Sequence, residues 1–138
     1  MSDKKTALIT GAGHGLGRAI AEAYHKAGFY VIATDIQLDL LSDLSGKENY
    51  LTAKLDVTSE KDVEHCLKII EDHCDNIDVL ISNAGIFDFY PVTEAGSGKL
   101  SEIFDVNVFG LANTIKYFLP LLISPQGRLI VISSESYK

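Results

Sequence analysis

The chain has 138 residues, a mass of 15.0 kDa, 46% hydrophobic and 22% charged residues, and a formal net charge of −7. That length supports one domain with a real core, and so ordinary a composition argues against disordered, collagen-like and coiled-coil chains. The acidic balance disfavours nucleic acid and anionic membrane as partners, and two cysteines make no disulfide framework. No apolar run reads as a membrane span, and the start Met1-Ser2-Asp3-Lys4-Lys5 lacks a signal-peptide core. The expectation is a cytoplasmic protein.

The first predicted strand is Ala7-Leu8-Ile9, and Thr10-Gly11-Ala12-Gly13-His14-Gly15-Leu16-Gly17 follows it directly. Glycines in that position let the backbone turn tightly and approach a pyrophosphate, while the next helix supplies oriented N–H donors. A plain turn would need one glycine, or two. The spacing is Gly-x3-Gly-x-Gly through Gly11, Gly15 and Gly17. Leu16, Ala19, Ile20, Ala23 and Ala27 recur at helical spacing, and Gly28 is placed to stop that helix.

The second strand, Tyr30-Val31-Ile32-Ala33, leads to Asp35, about twenty residues beyond the glycines, where a carboxylate can accept hydrogen bonds from a ribose diol. Taken alone, Asp35 also fits a helix or turn cap. Ile36 beside it is not basic, so no obvious group awaits a 2′-phosphate. A weaker strand covers Tyr50 to Leu55, and Val63, Cys66, Leu67, Ile70 and Cys74 form the next helical stripe, with Ser59 or Thr58 as its N-cap. After the strand Val79-Leu80-Ile81, the segment Phe87 to Gly98 reads as a loop. Leu100, Ile103, Phe104, Asn107, Val108, Leu111, Ile115 and Phe118 predict a third helix that Pro120 helps to end, with the Asn107 amide buried. The last strand is Leu129-Ile130-Val131-Ile132. Strands alternating with crossover helices predict an α/β fold, a parallel sheet with helices on both faces. Ending six residues after an apolar strand, the chain reads as cut short, because a bare strand edge invites aggregation.

Thr10 to Gly17 resembles the cofactor fingerprint of the short-chain dehydrogenase/reductase family. Four further segments match in order. Asp56-Val57 is similar to the pair that contacts adenine, and Asn83-Ala84-Gly85 to the family's Asn-Asn-Ala-Gly motif, with Ser82 replacing the first Asn. Asn107 resembles the asparagine of the fourth helix, and Gly127 to Ser134 the strand leading to the catalytic serine, matched at Ser134 rather than Ser133.

The resemblance covers essentially the whole chain. It implies a Rossmann-like, doubly wound sheet of order 3-2-1-4-5, with residues 1–138 as a dinucleotide-binding domain incomplete at its C-terminus. It implies NAD, in preference to NADP, held by Thr10, Gly11, Gly13, His14, Gly15, Leu16, Gly17, Asp35, Ile36, Asp56, Val57, Asn83, Ala84 and Gly85. The implied reaction is hydride transfer between the cofactor and a small alcohol/ketone substrate. Asn107 would bend its helix and hold a water in a proton relay, and Ser134 would hydrogen-bond the substrate oxygen. The complete protein is expected to be a homo-oligomer, a dimer or tetramer.

The family also uses a Tyr general acid/base with a Lys four residues later, roughly a dozen residues beyond the serine, and this chain ends first. Tyr137-Lys138 does not substitute, because adjacent helical side chains diverge by about 100° and the spacing to Ser134 is wrong. Tyr50 and Lys54 have the right spacing but on a predicted strand, where they stand about 13 Å apart. The chain by itself is therefore expected to be inactive. His65-Cys66 and His73-Cys74 read as core cysteines with flanking histidines, about 12 Å apart, and no metal site is expected. His25 reads as a helix-surface residue. The rival readings are a non-catalytic nucleotide-binding module and, more weakly, a flavodoxin-like domain.

Overall fold

The β-branched runs become the strands of a parallel sheet, the three inner ones buried on both faces and the two outer ones partly exposed. They are β1 (Thr6–Ile9), β2 (Tyr30–Asp35), β3 (Tyr50–Lys54), β4 (Val79–Ser82) and β5 (Arg128–Val131). The computed structural model describes residues 4–124 and 126–134 of the chain. All strand pairs are parallel, in the order β3-β2-β1-β4-β5, the doubly wound topology read from the sequence. Asp35 is the last residue of β2 rather than a residue after it.

Register sorts the core into two layers. Leu8 lies opposite Ile32 and Leu80, and all three pack with Val63, Cys66, Ile70, Phe118 and Leu122 of the helices on one face. Ala7, Ile9, Val31, Ala33 and Ile81 point the other way, against Ala21, Leu41 and Leu44. The helices are α1 (Gly15–Lys26), α2 (Glu60–Glu71), α3 (Ser97–Phe104) and α4 (Gly110–Ile123), with a π turn over Asp105–Phe109 joining the last two.

Two helical stripes need correction. α1 buries Gly17 and Ala21, with Ile20 and Tyr24 packed alongside, whereas Leu16, Ala19, Ala23 and Ala27 are exposed. Gly17 is jammed against the first glycine of the loop, and that contact sets the rotation of the whole helix. In the third stripe, Leu100, Phe104 and Val108 are exposed and Asn107 is not buried. Its buried residues are Gly110, Thr114, Phe118 and Leu122, because the π turn resets the helical phase.

Pro120 sits inside α4 and does not end it. The last turn is held by burial of Leu122, by a long-range bond from Ile77 N–H to Leu121 O (2.8 Å) and by a local one from Gly127 N–H to Leu122 O (2.6 Å). The helical path Ser97–Ile123 is also, by length and composition alone, long and apolar enough to cross a membrane.

Candidate functional site

The carboxyl ends of β1 to β4 converge on a cleft of about 490 Å³. Thr10 ties two of them together from behind. Its buried Oγ1 accepts the Asn83 and Ala84 N–H groups, both at 3.0 Å, while Asn83 Nδ2 donates to the Thr10 and Gly11 carbonyls at 3.1 Å. The first glycine loop and the Asn83-Ala84-Gly85 segment are therefore one hydrogen-bonded unit.

Two glycines are demanded by close approach. A Cβ on Gly17 would lie 2.1 Å from the Gly11 carbonyl oxygen, and one on Gly13 would lie 2.7 Å from Asp35 Oδ2. The space Gly13 vacates is used: Asp35 Oδ2 accepts the Gly13 N–H at 2.9 Å, and Oδ1 accepts the Gln37 N–H at 3.0 Å. Asp35 is only 6% exposed, yet it lines the cleft with its carboxylate fixed at both oxygens and lone pairs left over.

At the start of α1, His14 occupies the N-cap in an extended conformation and makes no side-chain cap. Arg18, one turn in, is committed elsewhere. It pairs with Glu22 at 2.8 Å and with Asp43, and donates to the Leu40 carbonyl at 3.3 Å. Hydrogen bonding to Asp43, then to Glu22, raises the guanidinium pKa further still.

The outer wall comes from β3 and β4. Asp56 Oδ1 accepts from the Thr58 N–H (2.9 Å) and hydroxyl (2.7 Å), and the Val57 carbonyl accepts from Asn113 Nδ2 at 3.0 Å. Asn107 grips Ile86 at two points, with Oδ1 accepting its N–H (2.8 Å) and Nδ2 donating to its carbonyl (2.7 Å). Its side-chain amide is thus spent on holding the strand exit of β4.

Of the residues singled out in the sequence, Gly11, His14, Leu16, Gly17, Asp35, Ile36, Asp56, Val57, Asn83, Ala84 and Gly85 line the cleft. Thr10 and Gly13 act behind the lining, and Gly15 carries the positive φ (58°) that opens α1. Ser134 is exposed, three residues past β5, and is not among the lining residues.

Gln37, Leu55, Ile86, Phe87 and Val106 also line the cleft and were not anticipated. Gln37, Leu55, Ile86 and Val106 each adjoin a predicted residue and were there to be found, Val106 in the π turn beside Asn107; Phe87 adjoins none. Among the described residues the lining holds no tyrosine or lysine. Tyr50 and Lys54 lie on β3, with Tyr50 stacked on His25 and its pKa pushed up by burial, the wrong direction for a base. Tyr137 and Lys138 lie outside the described residues.

A family profile described as short chain dehydrogenase matches residues 5–138. A short-chain dehydrogenase of Penicillium ochrochloron is 34% identical over 134 residues, covering 96% of this chain and 49% of its own. A sorbitol dehydrogenase of Cereibacter sphaeroides is 36% identical over 110 residues, covering 78% of this chain and 43% of its own. Among solved structures, an alcohol dehydrogenase from the archaeon Thermococcus sibiricus, complexed with 5-hydroxy-NADP, superposes with a TM-score of 0.88 at 30% identity. That match covers 94% of this chain and 57% of the archaeal one. The chain spans about half the length of the curated relatives it matches.

Proposed function

The chain belongs to the short-chain dehydrogenase family, and from that premise we propose that it is the cofactor-binding part of an oxidoreductase that interconverts a small alcohol and its ketone using NAD(H). The observation that carries the reading is the uncapped, glycine-lined start of α1 beside a buried carboxylate, Asp35, fixed at both oxygens. The donor set suits a dinucleotide. Gly11 and Gly17 let the loop, α1 and the Asn83–Ala84 segment approach one another with no side chain between them, α1 offers N–H groups to a pyrophosphate, and Asp35 offers acceptors to a ribose diol.

When bound, the nicotinamide ring supplies the site that gives or takes a hydride. The chain's own residues do the rest. Asn83, Ala84 and Gly85 form the inner wall, and Asn107 positions Ile86 beside it. Ser134 is the proposed hydrogen-bond donor to the reacting substrate oxygen. NAD is preferred over NADP because Asp35 would face a 2′-phosphate as a like charge, with Ile36 rather than a base next to it and Arg18 already paired with two carboxylates. The proposed substrates are small and neutral, of the kind named for the sorbitol dehydrogenase relative. A second copy of the protein is the proposed partner, supported by exposed Phe104, Phe109 and Ile123 along the α3–α4 path.

A second reading, a nucleotide-binding module without catalysis, is favoured by the lack of tyrosine and lysine among the described lining residues. Calorimetry with NAD and NADP, together with NADH absorbance in the presence of sorbitol and butan-2-ol, separates the two. NAD binding by this chain is expected on both readings; turnover by a longer protein that carries it together with a downstream Tyr-x3-Lys supports the enzyme, and NAD binding without turnover by such a protein supports the module. Equal or tighter binding of NADP would overturn the preference argued from Asp35.

A further inference from the structure

Beside the cofactor cleft lies a second, smaller cavity of about 220 Å³, which shares Ile86 and Phe87 with it. Its remaining wall comes from the loop after β4 and from α3, and includes Asp88, Tyr90, Lys99 and Glu102. Lys99 Nζ donates to Asp88 Oδ2 at 2.7 Å and sits 5.3 Å from the centre of the Tyr90 ring, so ring, cation and carboxylate form one cluster. Tyr90 stands out within it. Its hydroxyl is buried and, among the described residues, has no hydrogen-bond partner. An orphaned buried hydroxyl is unfavourable in the resting protein, and such groups in native structures call for a specific reason.

We infer that the Tyr90 hydroxyl recognises a second oxygen of the substrate, away from the reacting carbon, and so selects polyols or hydroxyketones over simple alcohols. This rests on the proposed reaction in the adjoining cleft. The chemistry of the cavity narrows the ligand further. Two carboxylates, Asp88 and Glu102, outnumber the single cation Lys99, so a substrate carrying a carboxylate or phosphate would meet net repulsion. Ile86 and Phe87 provide apolar surface for the carbon chain, and the phenol is a neutral donor suited to a neutral oxygen. The two-point grip of Asn107 on Ile86 fixes the partition between this cavity and the cofactor cleft.

The test is Tyr90→Phe in the protein with NAD bound, probed with sorbitol, which has a hydroxyl on every carbon, and with butan-2-ol, which has only one. Losing a neutral hydrogen bond is expected to weaken sorbitol binding about three- to tenfold and leave butan-2-ol unchanged. The melting temperature without substrate should stay level or rise, because the variant deletes an unpaired buried hydroxyl. A structural role predicts the opposite pair of results, a lower melting temperature with sorbitol binding untouched, and that pair overturns the inference. So does equal weakening of both probes, or failure of the NAD-loaded protein to bind sorbitol. NAD affinity is measured in the same series, and its absence would indict the cofactor reading and not Tyr90.

Discussion

Helices α1 and α2 both begin at the carboxyl edge of the same parallel sheet, and their first turns are built oppositely. At α2 the Ser59 hydroxyl accepts the Asp62 N–H at 3.3 Å, and Glu60 and Asp62 place two negative charges in the first turn. The partial positive charge of that helix end is satisfied by its own sequence. At α1 the N-cap is His14, which makes no cap, and the first turn contains no acid and two glycines, Gly15 and Gly17. One end has been closed with side chains; the other has been stripped of them. An α1 built like α2 would be a better helix and a worse anion site, so the stripped end points to a bound phosphate as the missing partner.

The strongest way to break this contrast is Gly17→Ala. The added Cβ meets backbone, the Gly11 carbonyl oxygen at 2.1 Å, and no flexible side chain can yield. Overpacking of this kind typically costs about 1–3 kcal/mol, and here it also pushes α1 off the loop. Both the urea midpoint and NAD affinity should fall, the latter by about tenfold or more. Unchanged affinity in calorimetry would mean that the close approach of α1 is not part of the binding site.

Asp35→Asn is expected to come next. The amide keeps the shape but turns one end into a donor, which must face either the Gly13 or the Gln37 N–H. A buried N–H left against another donor costs about 1–3 kcal/mol. NAD binding should weaken about tenfold, and the margin between NAD and NADP should narrow as the negative charge disappears. A variant that keeps the full margin would place the specificity elsewhere in the cleft.

A third pair exchanges the two ends. His14→Asp gives α1 the kind of cap that α2 has; it should raise stability by about 0.5–1 kcal/mol and weaken NAD binding severalfold, since the new carboxylate sits where a phosphate would. Ser59→Ala should do the reverse at α2, costing about 1 kcal/mol of stability with cofactor affinity unchanged. Thermal unfolding and calorimetry on both proteins check the signs. If the two variants shift affinity alike, the contrast between the helix ends has no functional content.

How far this contrast was readable from sequence depends on how local its causes are. Glycines, Asp35 and the Asn83-Ala84-Gly85 segment announce themselves because few residue types can do what they do, and their spacing survives in one dimension. The face α1 buries was misread, since helical periodicity favoured Leu16 and Ala19 while the actual rotation is set by Gly17 meeting Gly11 across the turn. A residue without a side chain leaves no mark in a hydrophobic pattern. Asn107 was picked out but placed in the interior; the π turn swings it outward to hold Ile86, and one residue of extra winding is invisible to a 3.6-residue count. Tyr90 was missed because an orphan hydroxyl is a property of packing and has no sequence signature.

The smallest expected effect comes from the closed end, at Glu60. Its carboxylate Oε2 accepts from Lys116 Nζ at 2.8 Å and from the Tyr117 hydroxyl at 2.7 Å, tying α2 to α4. The Lys116 bond, then the Tyr117 bond, holds the Glu60 pKa below its ordinary value of 4.5. A depressed carboxylate pKa contributes stability above the ordinary value and loses it as the pH falls through that value towards the folded one. Stability should therefore decline slightly below about pH 4.5 in the natural chain, and Glu60→Gln should remove that part of the decline while lowering stability a little at pH 7. The pair is exposed, so the difference should shrink further in high salt. Urea midpoints of both proteins across pH 3 to 7, at low and high salt, measure it. NAD affinity should not move at all, because the charge belongs to the helix end that needs no ligand; a shift in affinity with Glu60→Gln would mean the two ends are coupled through the sheet.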